Sequence, residues 1–209
     1  MKIKVCGMRD PGNIQQLLDR VTPDWMGLIF YEKSPRFVSE SLAEKIKVFP
    51  VNKVGVFVNE SSERMLDFVT AFGLHSLQLH GQEPVSQVRE LRENTELEIF
   101  KVFSVSDQVD WKKLEDYEPW VDYFLFDTFT VGHGGSGKAF NWQILLDYPL
   151  QKPFLLSGGI GLEESDRIIE LGSKINKMAG VDVNSKFEWA VAEKNIGALK
   201  QFKDNLLEK

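Results

Sequence analysis

Two residues of this sequence have side chains suited to proton transfer, and each lies at the end of an apolar run. Cys6 is the only cysteine and follows "MKIKV" at the start of the chain. Its thiolate would be a good base or nucleophile if a nearby cation, such as Arg9 or Arg36, lowered the pKa of the thiol. A lone cysteine is also often a small buried hydrophobe, so the residue type leaves both interpretations open.

The second candidate is Asp127, which follows the apolar run "YFLF". In a partly desolvated site its carboxyl group would hold a proton and could act as a general acid. An aspartate at the end of a strand can instead cap a turn. If both candidates are active, Asp127 could donate a proton to a substrate while Cys6 removes one.

Two glycine-containing stretches later in the chain suggest a phosphate site. "LLSGGIGLEE" contains Gly158 and Gly159 between a predicted strand and a predicted helix, and "GVDVNSK" contains Asp182, Asn184 and Ser185 at the end of another predicted strand. Bare backbone N–H groups and a helix N-terminus both favour an anion. Each stretch alone could be a tight turn, but the two together predict bound phosphate.

A third stretch, "GHGGSGKA", fits the G-x-x-x-x-G-K pattern of a nucleotide-binding P-loop up to its last position. A P-loop needs serine or threonine after its lysine to hold Mg²⁺, and Ala139 follows the lysine here. We therefore expect a long glycine-rich loop over the site, including Gly135 and Gly137. A plain surface loop is the alternative.

His80, in "LQLHGQEP", could line the same site with Gln78 or simply complete a hydrogen bond at the end of a strand. No group of His, Cys, Asp and Glu residues has the spacing of metal ligands, and no G-x-G-x-x-G follows the first strand. We therefore expect neither a metal nor a dinucleotide cofactor.

The elements that must position these residues alternate between strands and helices. Eight short apolar or β-branched runs predict strands at Ile3–Cys6, Met26–Phe30, Val54–Val58, Ser76–His80, Glu98–Val102, Tyr123–Asp127, Phe154–Ser157 and Met178–Val183. Most intervening segments have apolar residues at helical spacing, and a last helix is predicted at Ala198–Leu207. Eight such units predict an α/β fold, a (β/α)₈ TIM barrel, as a single domain over residues 1–209. An open doubly wound sheet is the alternative.

In a barrel of this kind, the chemistry lies on the loops at the carboxyl ends of the strands. The predicted strand ends carry the only cysteine, His80, Asp127 and the Gly158–Gly159 pair. Cys6 and Asp127 would then lie across the mouth of the barrel from each other. This convergence is the strongest structural argument that the sequence offers for a site.

Composition narrows the class of protein further. The net charge is −6 with a pI of about 5.2, and Lys and Arg form no blocks, so we expect no nucleic-acid surface. No apolar run approaches the roughly 20 residues that span a bilayer, so we expect no membrane partner. The first ten residues lack the apolar core of a signal peptide, and one cysteine permits no internal disulfide, so we expect a cytoplasmic location.

Seven stretches follow one another along nearly the whole chain: "KVCGMRD", "GLIFYEKSPR", "VGVFVNE", "LQLHGQE", "FDT…GGSGKAFNW", "LSGGI" and "GVDVNS". In this order and spacing they resemble the phosphoribosylanthranilate isomerase family of tryptophan biosynthesis. Related phosphate-binding barrels that isomerise a histidine-pathway ribonucleotide look similar but typically have Asp where this chain has Cys6. That residue favours the tryptophan-pathway family.

The resemblance implies an Amadori rearrangement of N-(5-phosphoribosyl)anthranilate to 1-(2-carboxyphenylamino)-1-deoxyribulose 5-phosphate, with no cofactor. It implies that Asp127 is the general acid, protonating the ribose ring oxygen, and that the Cys6 thiolate is the general base, removing the proton from C2 of the sugar. Arg36 would hold the anthranilate carboxylate. The other predicted substrate contacts are His80, Gly135, Gly137, Gly158, Gly159, Asp182, Asn184 and Ser185. The partner is this small phosphoribosyl molecule, and the chain is expected to be a monomer or a homodimer.

Two stretches depart from the family pattern. The family's Asp-Val-Ser-Ser-Gly-Val-Glu is "DVNSKFE" here, so Asn184 replaces Ser and Lys186 replaces Gly, and "VAEKN" stands where a Pro-Gly pair is expected before Lys-Asp. We hypothesise that Lys186 adds positive charge near the phosphate. The competing interpretations are a catalytically silent barrel that binds a sugar phosphate and another phosphosugar isomerase or epimerase.

Overall fold

Eight parallel strands form a closed barrel in the computed structural model, which describes residues 1–106, 108–128 and 141–207. The strands follow chain order around the barrel: β1 Lys2–Val5, β2 Trp25–Ile29, β3 Lys53–Phe57, β4 Ser76–Leu79, β5 Glu98–Val105, β6 Tyr123–Thr128, β7 Phe154–Ser157 and β8 Met178–Val183. β1 pairs with β8 from Lys2 opposite Gly180 to Val5 opposite Val183, which closes the sheet. The predicted TIM barrel is confirmed, and the open-sheet alternative is wrong.

The strand boundaries agree with the predicted ones to within one residue at every end except one. β5 continues three residues beyond the predicted Val102, because its ladder with β6 persists to Val105 opposite Thr128. The serines of "FSVS" end the apolar run in the sequence, but they do not interrupt backbone pairing. The longer ladder places Ser104 opposite Asp127 at the mouth of the barrel.

Helices cover the outside of the barrel. The α-helices are α1 Pro11–Arg20, α2 Ala43–Lys47, α3 Ser62–Phe72, α4 Val85–Asn94, α5 Trp111–Glu115, α6 Ser165–Lys174 and α7 Ile196–Leu207. Asp10 and Ser61 cap the first turns of α1 and α3 by accepting backbone N–H hydrogen bonds. The last helix begins two residues before the predicted Ala198, and Asn195 accepts from the N–H of Ala198 at its start. Between β6 and β7 the described residues form only a 3₁₀ helix, Trp142–Asp147.

The core has two parts because alternate strand residues point to opposite faces. One face packs against the helices and forms the larger apolar cluster. The other fills the barrel with a smaller cluster of Trp25, Val54, Phe100, Val102, Leu125 and Leu155. In the described part of the chain, no helix is both long and apolar enough to cross a membrane.

The two ends of the barrel differ in character. At the amino ends of the strands, Glu98 accepts hydrogen bonds from the indole of Trp25 and from Ser76, both at 2.9 Å. A cavity of about 1210 Å³ lies there, lined among others by Lys2, Lys53 and His75. The residues predicted to do chemistry lie at the other end. This separation is the usual division of a TIM barrel into a stability face and an active face.

Candidate active site at the carboxyl ends of the strands

Cys6 lies immediately after β1 at the carboxyl end of the barrel. Its backbone N–H donates to the carbonyl of Val183 at 2.9 Å, which extends the β1–β8 ladder and fixes the residue between the two strands. The next N–H groups, of Gly7 and Met8, both donate to the carbonyl of Gly27 on β2. The residue itself is only 5% exposed. Cys6 is therefore rigidly placed and shielded from bulk water.

Lys4 precedes Cys6 by two residues, so both side chains point to the inside of the barrel. Its ammonium group donates to Oδ1 of Asp182 at 2.9 Å, and neither residue is more than 6% exposed. Burial disfavours the lysine cation, but the charges of Asp182 and then of Cys6 outweigh it and raise the pKa of Lys4. Burial also raises the pKa of Asp182, and Lys4 opposes that rise. The Lys4–Asp182 ion pair therefore places a positively charged group next to Cys6 inside the barrel.

Burial raises the pKa of the Cys6 thiol, while the cations Lys4 and Lys194 act in the opposite direction. The sequence pointed to Arg9 and Arg36 as the cations near the thiol. Arg9 instead donates to the carbonyl of Pro35 at 3.2 Å. The buried lysines Lys4 and Lys194 were not singled out from the sequence. The position of Lys4, two residues before Cys6 in an apolar strand, could have indicated a cation on the same face as the thiol.

Asp127 lies near the end of β6, separated from β1 by β7 and β8. Its Oδ1 accepts from the N–H of Thr128 at 2.8 Å, and its Oδ2 lies 3.5 Å from Nε2 of His80. Nδ1 of His80 in turn lies 3.1 Å from the side-chain nitrogen of Gln78. The structure thus brings together three of the residues singled out in the sequence, Gln78 and His80 from β4 and its end and Asp127 from β6, across the intervening strand β5.

Gly158 follows β7 and touches the same carboxylate. Its φ of 86° lies in the left-handed region, and a Cβ atom there would lie 2.7 Å from Oδ1 of Asp127 and 2.6 Å from the N of Thr128. Gly159 follows with a φ of 70°. Only glycine satisfies both the backbone and the space at position 158. The predicted phosphate loop and the predicted acid are therefore in direct contact.

Arg36 forms a two-point ion pair at the mouth. Its Nε and Nη2 donate to the two carboxylate oxygens of Glu188 at 2.8 and 2.6 Å. Glu188 belongs to a hairpin of β9 Glu188–Ala190 and β10 Glu193–Lys194 that follows β8. One edge of the guanidinium is therefore occupied by Glu188, which orients the opposite edge.

Lys194 connects this hairpin to the loop after β8. The lysine is 1% exposed, and its ammonium donates to Oδ1 of Asn184 and Oε1 of Glu188, both at 2.6 Å. Its backbone exchanges hydrogen bonds with the side chain of Asn13 on α1. Asn184 is followed by Ser185, which starts a short 3₁₀ helix, Ser185–Phe187. The predicted phosphate residues after β8 and the predicted carboxylate-binding Arg36 therefore belong to one network.

Gly7 lies between the side chains of Arg36 and Asn184. A Cβ atom at Gly7 would lie 2.7 Å from both the Cδ of Arg36 and the Oδ1 of Asn184, and its φ is 77°. A larger residue would push Arg36 and Asn184 apart. The predicted contacts Gly135 and Gly137 lie outside the described residues.

The sequence matches one protein family along nearly its whole length. Residues 3–205 match the family model described as N-(5'phosphoribosyl)anthranilate (PRA) isomerase. An N-(5'-phosphoribosyl)anthranilate isomerase of Phocaeicola vulgatus is 46% identical over 212 residues, which cover 100% of this chain and 99% of that one. The chain belongs to the N-(5'-phosphoribosyl)anthranilate isomerase family.

Solved structures of phosphoribosylanthranilate isomerases have the same fold. The Thermotoga maritima enzyme superposes with a TM-score of 0.87 at 31% identity, covering both chains completely. A phosphoribosylanthranilate isomerase in complex with reduced 1-(o-carboxyphenylamino)-1-deoxyribulose 5-phosphate superposes with a TM-score of 0.83 at 28% identity, again over 100% of both chains. The predicted family is therefore confirmed.

The structure explains part of how this chain departs from the phosphoribosylanthranilate isomerase pattern. Where "VAEKN" replaces the expected Pro-Gly pair, Ala192 has a φ of 64°, a left-handed conformation that glycine adopts without strain. Lys186 is exposed, with its Nζ 3.8 Å from a carboxylate oxygen of Glu163. The replacement of Ser by Asn184 supplies the side-chain oxygen that binds Lys194.

Proposed function

We propose that this protein catalyses the Amadori rearrangement of N-(5'-phosphoribosyl)anthranilate to 1-(2-carboxyphenylamino)-1-deoxyribulose 5-phosphate, with Asp127 as general acid and Cys6 as general base. One observation supports the assignment of roles. Cys6 directly follows β1 and Asp127 lies near the end of β6, at the same mouth of the barrel, and Asp182 on β8 interacts electrostatically with Asp127 and pairs with the Lys4 that precedes Cys6.

The proposed reaction needs two proton transfers at two separate atoms. Asp127 donates a proton to the ribose ring oxygen, the bond from that oxygen to C1 breaks, and the nitrogen lone pair forms the C=N bond of a Schiff base. Cys6 as thiolate then removes the proton on C2, and the electrons of that C–H bond form an enolamine. Tautomerisation of the enolamine yields the ketone. An acid and a base on different strands can act on different atoms of one bound sugar.

His80 supports the proposed acid through its position. Its Nδ1 lies 3.1 Å from the side-chain amide of Gln78, and its Nε2 lies 3.5 Å from Oδ2 of Asp127. The two contacts hold the imidazole ring beside the carboxyl group. In this role His80 orients the carboxyl group of Asp127 and lines the sugar site.

Arg36 is the proposed contact for the anthranilate carboxylate. Glu188 accepts from Nε and Nη2 of Arg36, so the edge that carries Nη1 is directed elsewhere. A planar carboxylate fits such an edge with two parallel hydrogen bonds. Glu188 in this interpretation holds the guanidinium in place for the substrate.

The phosphate is proposed to bind across two neighbouring strand ends. Gly158 and Gly159 follow β7, and Asn184 and Ser185 follow β8, whose ladders pair Ser157 with Asp182. Backbone N–H groups at these turns favour an anion, and the loops after strands seven and eight are the recurrent phosphate site of such barrels. The loop with Gly135 and Gly137 is proposed to close over the substrate.

The remaining expectations follow from this chemistry. Proton transfer and anion binding by side chains and backbone need no metal or cofactor, and the partner is the small phosphoribosyl substrate. That the chain is cytoplasmic, binds no nucleic acid, forms a single domain, and exists as a monomer or homodimer stays a prediction.

The test is turnover of freshly generated phosphoribosylanthranilate, followed by loss of its anthranilate-type fluorescence. Wild type is compared with Cys6→Ser and Asp127→Asn. The matched control is Asp24→Asn, the same chemical change at the opposite end of the barrel, where Asp24 accepts from the N–H of Ile3 at 2.8 Å. We expect turnover to fall about 10²–10⁴-fold or more in both site variants and to persist in the control.

Survival of turnover in either site variant would remove that residue from its role. A folded wild type without turnover that still binds the reduced product analogue would favour the silent barrel. Turnover of a different phosphosugar alone would favour another isomerase or epimerase.

A further inference from the structure

Lys4 is a buried cation that lies between the carboxylate of Asp182 and the thiol of Cys6. It is 0% exposed, and its ammonium donates to Oδ1 of Asp182 at 2.9 Å. Its strand places it two residues before Cys6 on the same inward face. A buried ammonium is costly unless its charge is used or balanced. Asp182 balances it, and Cys6 is the reactive group beside it.

Gly27 on β2 shows how Lys4 and Cys6 face each other. A Cβ atom at Gly27 would lie 2.8 Å from the sulfur of Cys6 and 3.1 Å from Nζ of Lys4. Both atoms therefore border the same small space, which the missing side chain of Gly27 leaves open. The backbone at Gly27 cannot simply withdraw, because its carbonyl accepts from the N–H groups of Gly7 and Met8.

We propose that Lys4 is a positioning residue for the isomerisation: its ammonium group, held by Asp182, lies beside the sulfur of Cys6 and stabilises the thiolate that removes the sugar proton. The inference rests on the proposed role of Cys6 as base. Before catalysis the thiol proton leaves to solvent and Lys4 keeps its three protons. The thiolate then takes the proton from C2, so Lys4 itself neither gains nor loses one.

Among the residues that the structure describes, four charged groups face Cys6 from the surrounding elements. They are Lys4 on β1, Asp182 on β8, Lys194 on β10 and Arg36 in the loop after β2. Lys194 and Arg36 are both bonded to Glu188, which offsets their charge. Burial has the largest influence on the pKa of the thiol, and Lys4, whose Nζ borders the same space at Gly27 as the sulfur, has the next largest, in the opposite direction. Lys4 is therefore the group whose removal changes the thiol most.

The single cysteine allows a direct test without substrate. The ultraviolet absorbance of the thiolate is titrated against pH in wild type and in Lys4→Met, and the matching Cys6→Ser protein of each is subtracted. We expect the midpoint of the titration to rise in Lys4→Met. The rate of alkylation by iodoacetamide at a fixed pH below both midpoints should fall about tenfold for each pH unit by which the midpoint rises.

The matched control is Lys101→Met. Lys101 is a second barrel lysine, 2% exposed and bonded to buried Glu83 at 2.9 Å, but its neighbours are on β4 and the loop that follows. Its removal also breaks a buried ion pair, so it reports general loosening of the barrel. We expect the Cys6 midpoint in Lys101→Met to match wild type.

Two further variants keep the test decisive if Lys4→Met folds poorly. Lys4→Met combined with Asp182→Asn removes both charges and leaves no unpaired buried carboxylate, and it should also raise the midpoint. Lys4→Arg keeps the charge and should keep most of the wild-type titration. Far-ultraviolet circular dichroism shows which variants are folded.

The outcomes separate this inference from the proposed function. An unchanged midpoint in both variants that lack the Lys4 charge, or an equal rise in Lys101→Met, overturns the role of Lys4 even if the enzyme is active. A raised midpoint confined to the Lys4 variants, together with a matching shift in the acid limb of kcat/KM, supports it. A raised midpoint with full turnover in Cys6→Ser would overturn the role of Cys6 as base, and with it the part assigned to Lys4 in catalysis.

Discussion

The chemical character of Cys6 depends on charged residues that the folded barrel places around it. The sequence offers arginines at positions 9 and 36 as neighbours; the structure places Arg36 near the sulfur together with Lys4 and Lys194, whereas Arg9 donates to the carbonyl of Pro35. Burial raises the pKa of the thiol, and these cations oppose the rise. Burial favours the neutral, protonated thiol, so a buried cysteine needs fixed positive charge nearby to become a thiolate. The residue type alone therefore does not determine whether Cys6 can act as a base.

Gly158 has a left-handed backbone conformation and lies next to the carboxylate of Asp127, the proposed acid. We predict that Gly158→Ala lowers kcat by about 10²-fold, because the new Cβ would displace the carboxylate of Asp127, and small displacements of reacting groups have effects of this size. The strained left-handed backbone should also cost about 1–2 kcal/mol of stability. Steady-state turnover and urea unfolding measure the two effects separately.

The control for Gly158 is Gly73→Ala at the end of α3. Gly73 has a φ of 62°, but its added Cβ would meet only Lys47 Cγ, at 3.4 Å, which is ordinary contact. It should lose a similar 1–2 kcal/mol, about the cost of a left-handed residue, with unchanged kcat. Equal loss of turnover in both variants would mean that Gly158 acts through backbone strain and not through Asp127.

At the scale of elements, the β9–β10 hairpin connects Arg36 to the loop after β8. Glu188 opens the hairpin and Lys194 ends it, and the two side chains meet at 2.6 Å while Glu188 also binds Arg36. The turn between the strands contains Ala192 in a left-handed conformation. A helix-and-strand pattern does not reveal this hairpin, because its strands of three and two residues are too short for an alternation signal.

The hairpin predicts a pH-dependent contribution to stability. Burial would raise the pKa of Glu188, but hydrogen bonds from Arg36 and the charge of Lys194 outweigh it and hold the pKa below its ordinary value of 4.5. The unfolded chain therefore binds more protons below pH 4.5, so the stabilisation is present above pH 4.5 and is lost as the pH falls below it. Glu188→Gln should lose about 2 kcal/mol at pH 7, the scale of a hydrogen bond to a charged group, and less at lower pH.

Urea unfolding of wild type and Glu188→Gln at pH 7 and at several values below 4.5 checks this prediction. Glu193→Gln, an exposed position on β10 of the same hairpin, is the control and should behave as wild type at pH 7. A Glu188→Gln deficit that stays constant or grows with acid would show that the Arg36–Glu188–Lys194 contacts do not stabilise the fold through charge.

At the scale of the whole molecule, the barrel depends on the pairing of its first and last strands. Gly180 of β8 lies opposite Lys2 of β1, and a Cβ atom there would overlap the Lys2 carbonyl oxygen. We predict that Gly180→Ala destabilises the protein by about 1–3 kcal/mol or more, since backbone atoms on both strands must move. Because Lys4, Cys6 and Asp182 lie along the same seam, turnover should fall as well.

Gly172→Ala is the matched control for barrel closure. Gly172 lies in α6, and its added Cβ would meet only the terminal methyl of Met1, a residue that is 40% exposed and can move. Removing a glycine from a helix should stabilise the protein by about 0.5–1 kcal/mol. The midpoints of thermal and urea unfolding should therefore shift in opposite directions in the two variants. A Gly180→Ala protein as stable as wild type would contradict the account of closure.

The sequence by itself determined the barrel and the end of it that carries the chemistry. Eight apolar runs at regular spacing predict a (β/α)₈ barrel. The limits of those runs give every strand start and every strand end but one to within one residue. The positions of Cys6, Asp127 and Gly158 at carboxyl strand ends follow from the same pattern. The strand predictions succeed because strand formation depends on a local pattern of apolar residues, which can be recognised from neighbouring positions in the sequence.

Only the tertiary structure decided which charged groups meet. Lys4 and Asp182 are 178 positions apart, and Arg36 and Glu188 are 152 apart, yet each pair is in direct contact. Such contacts depend on the closure and register of the barrel, which a residue's local context does not specify. The partner of a buried charge therefore emerges only when strands remote in sequence become neighbours.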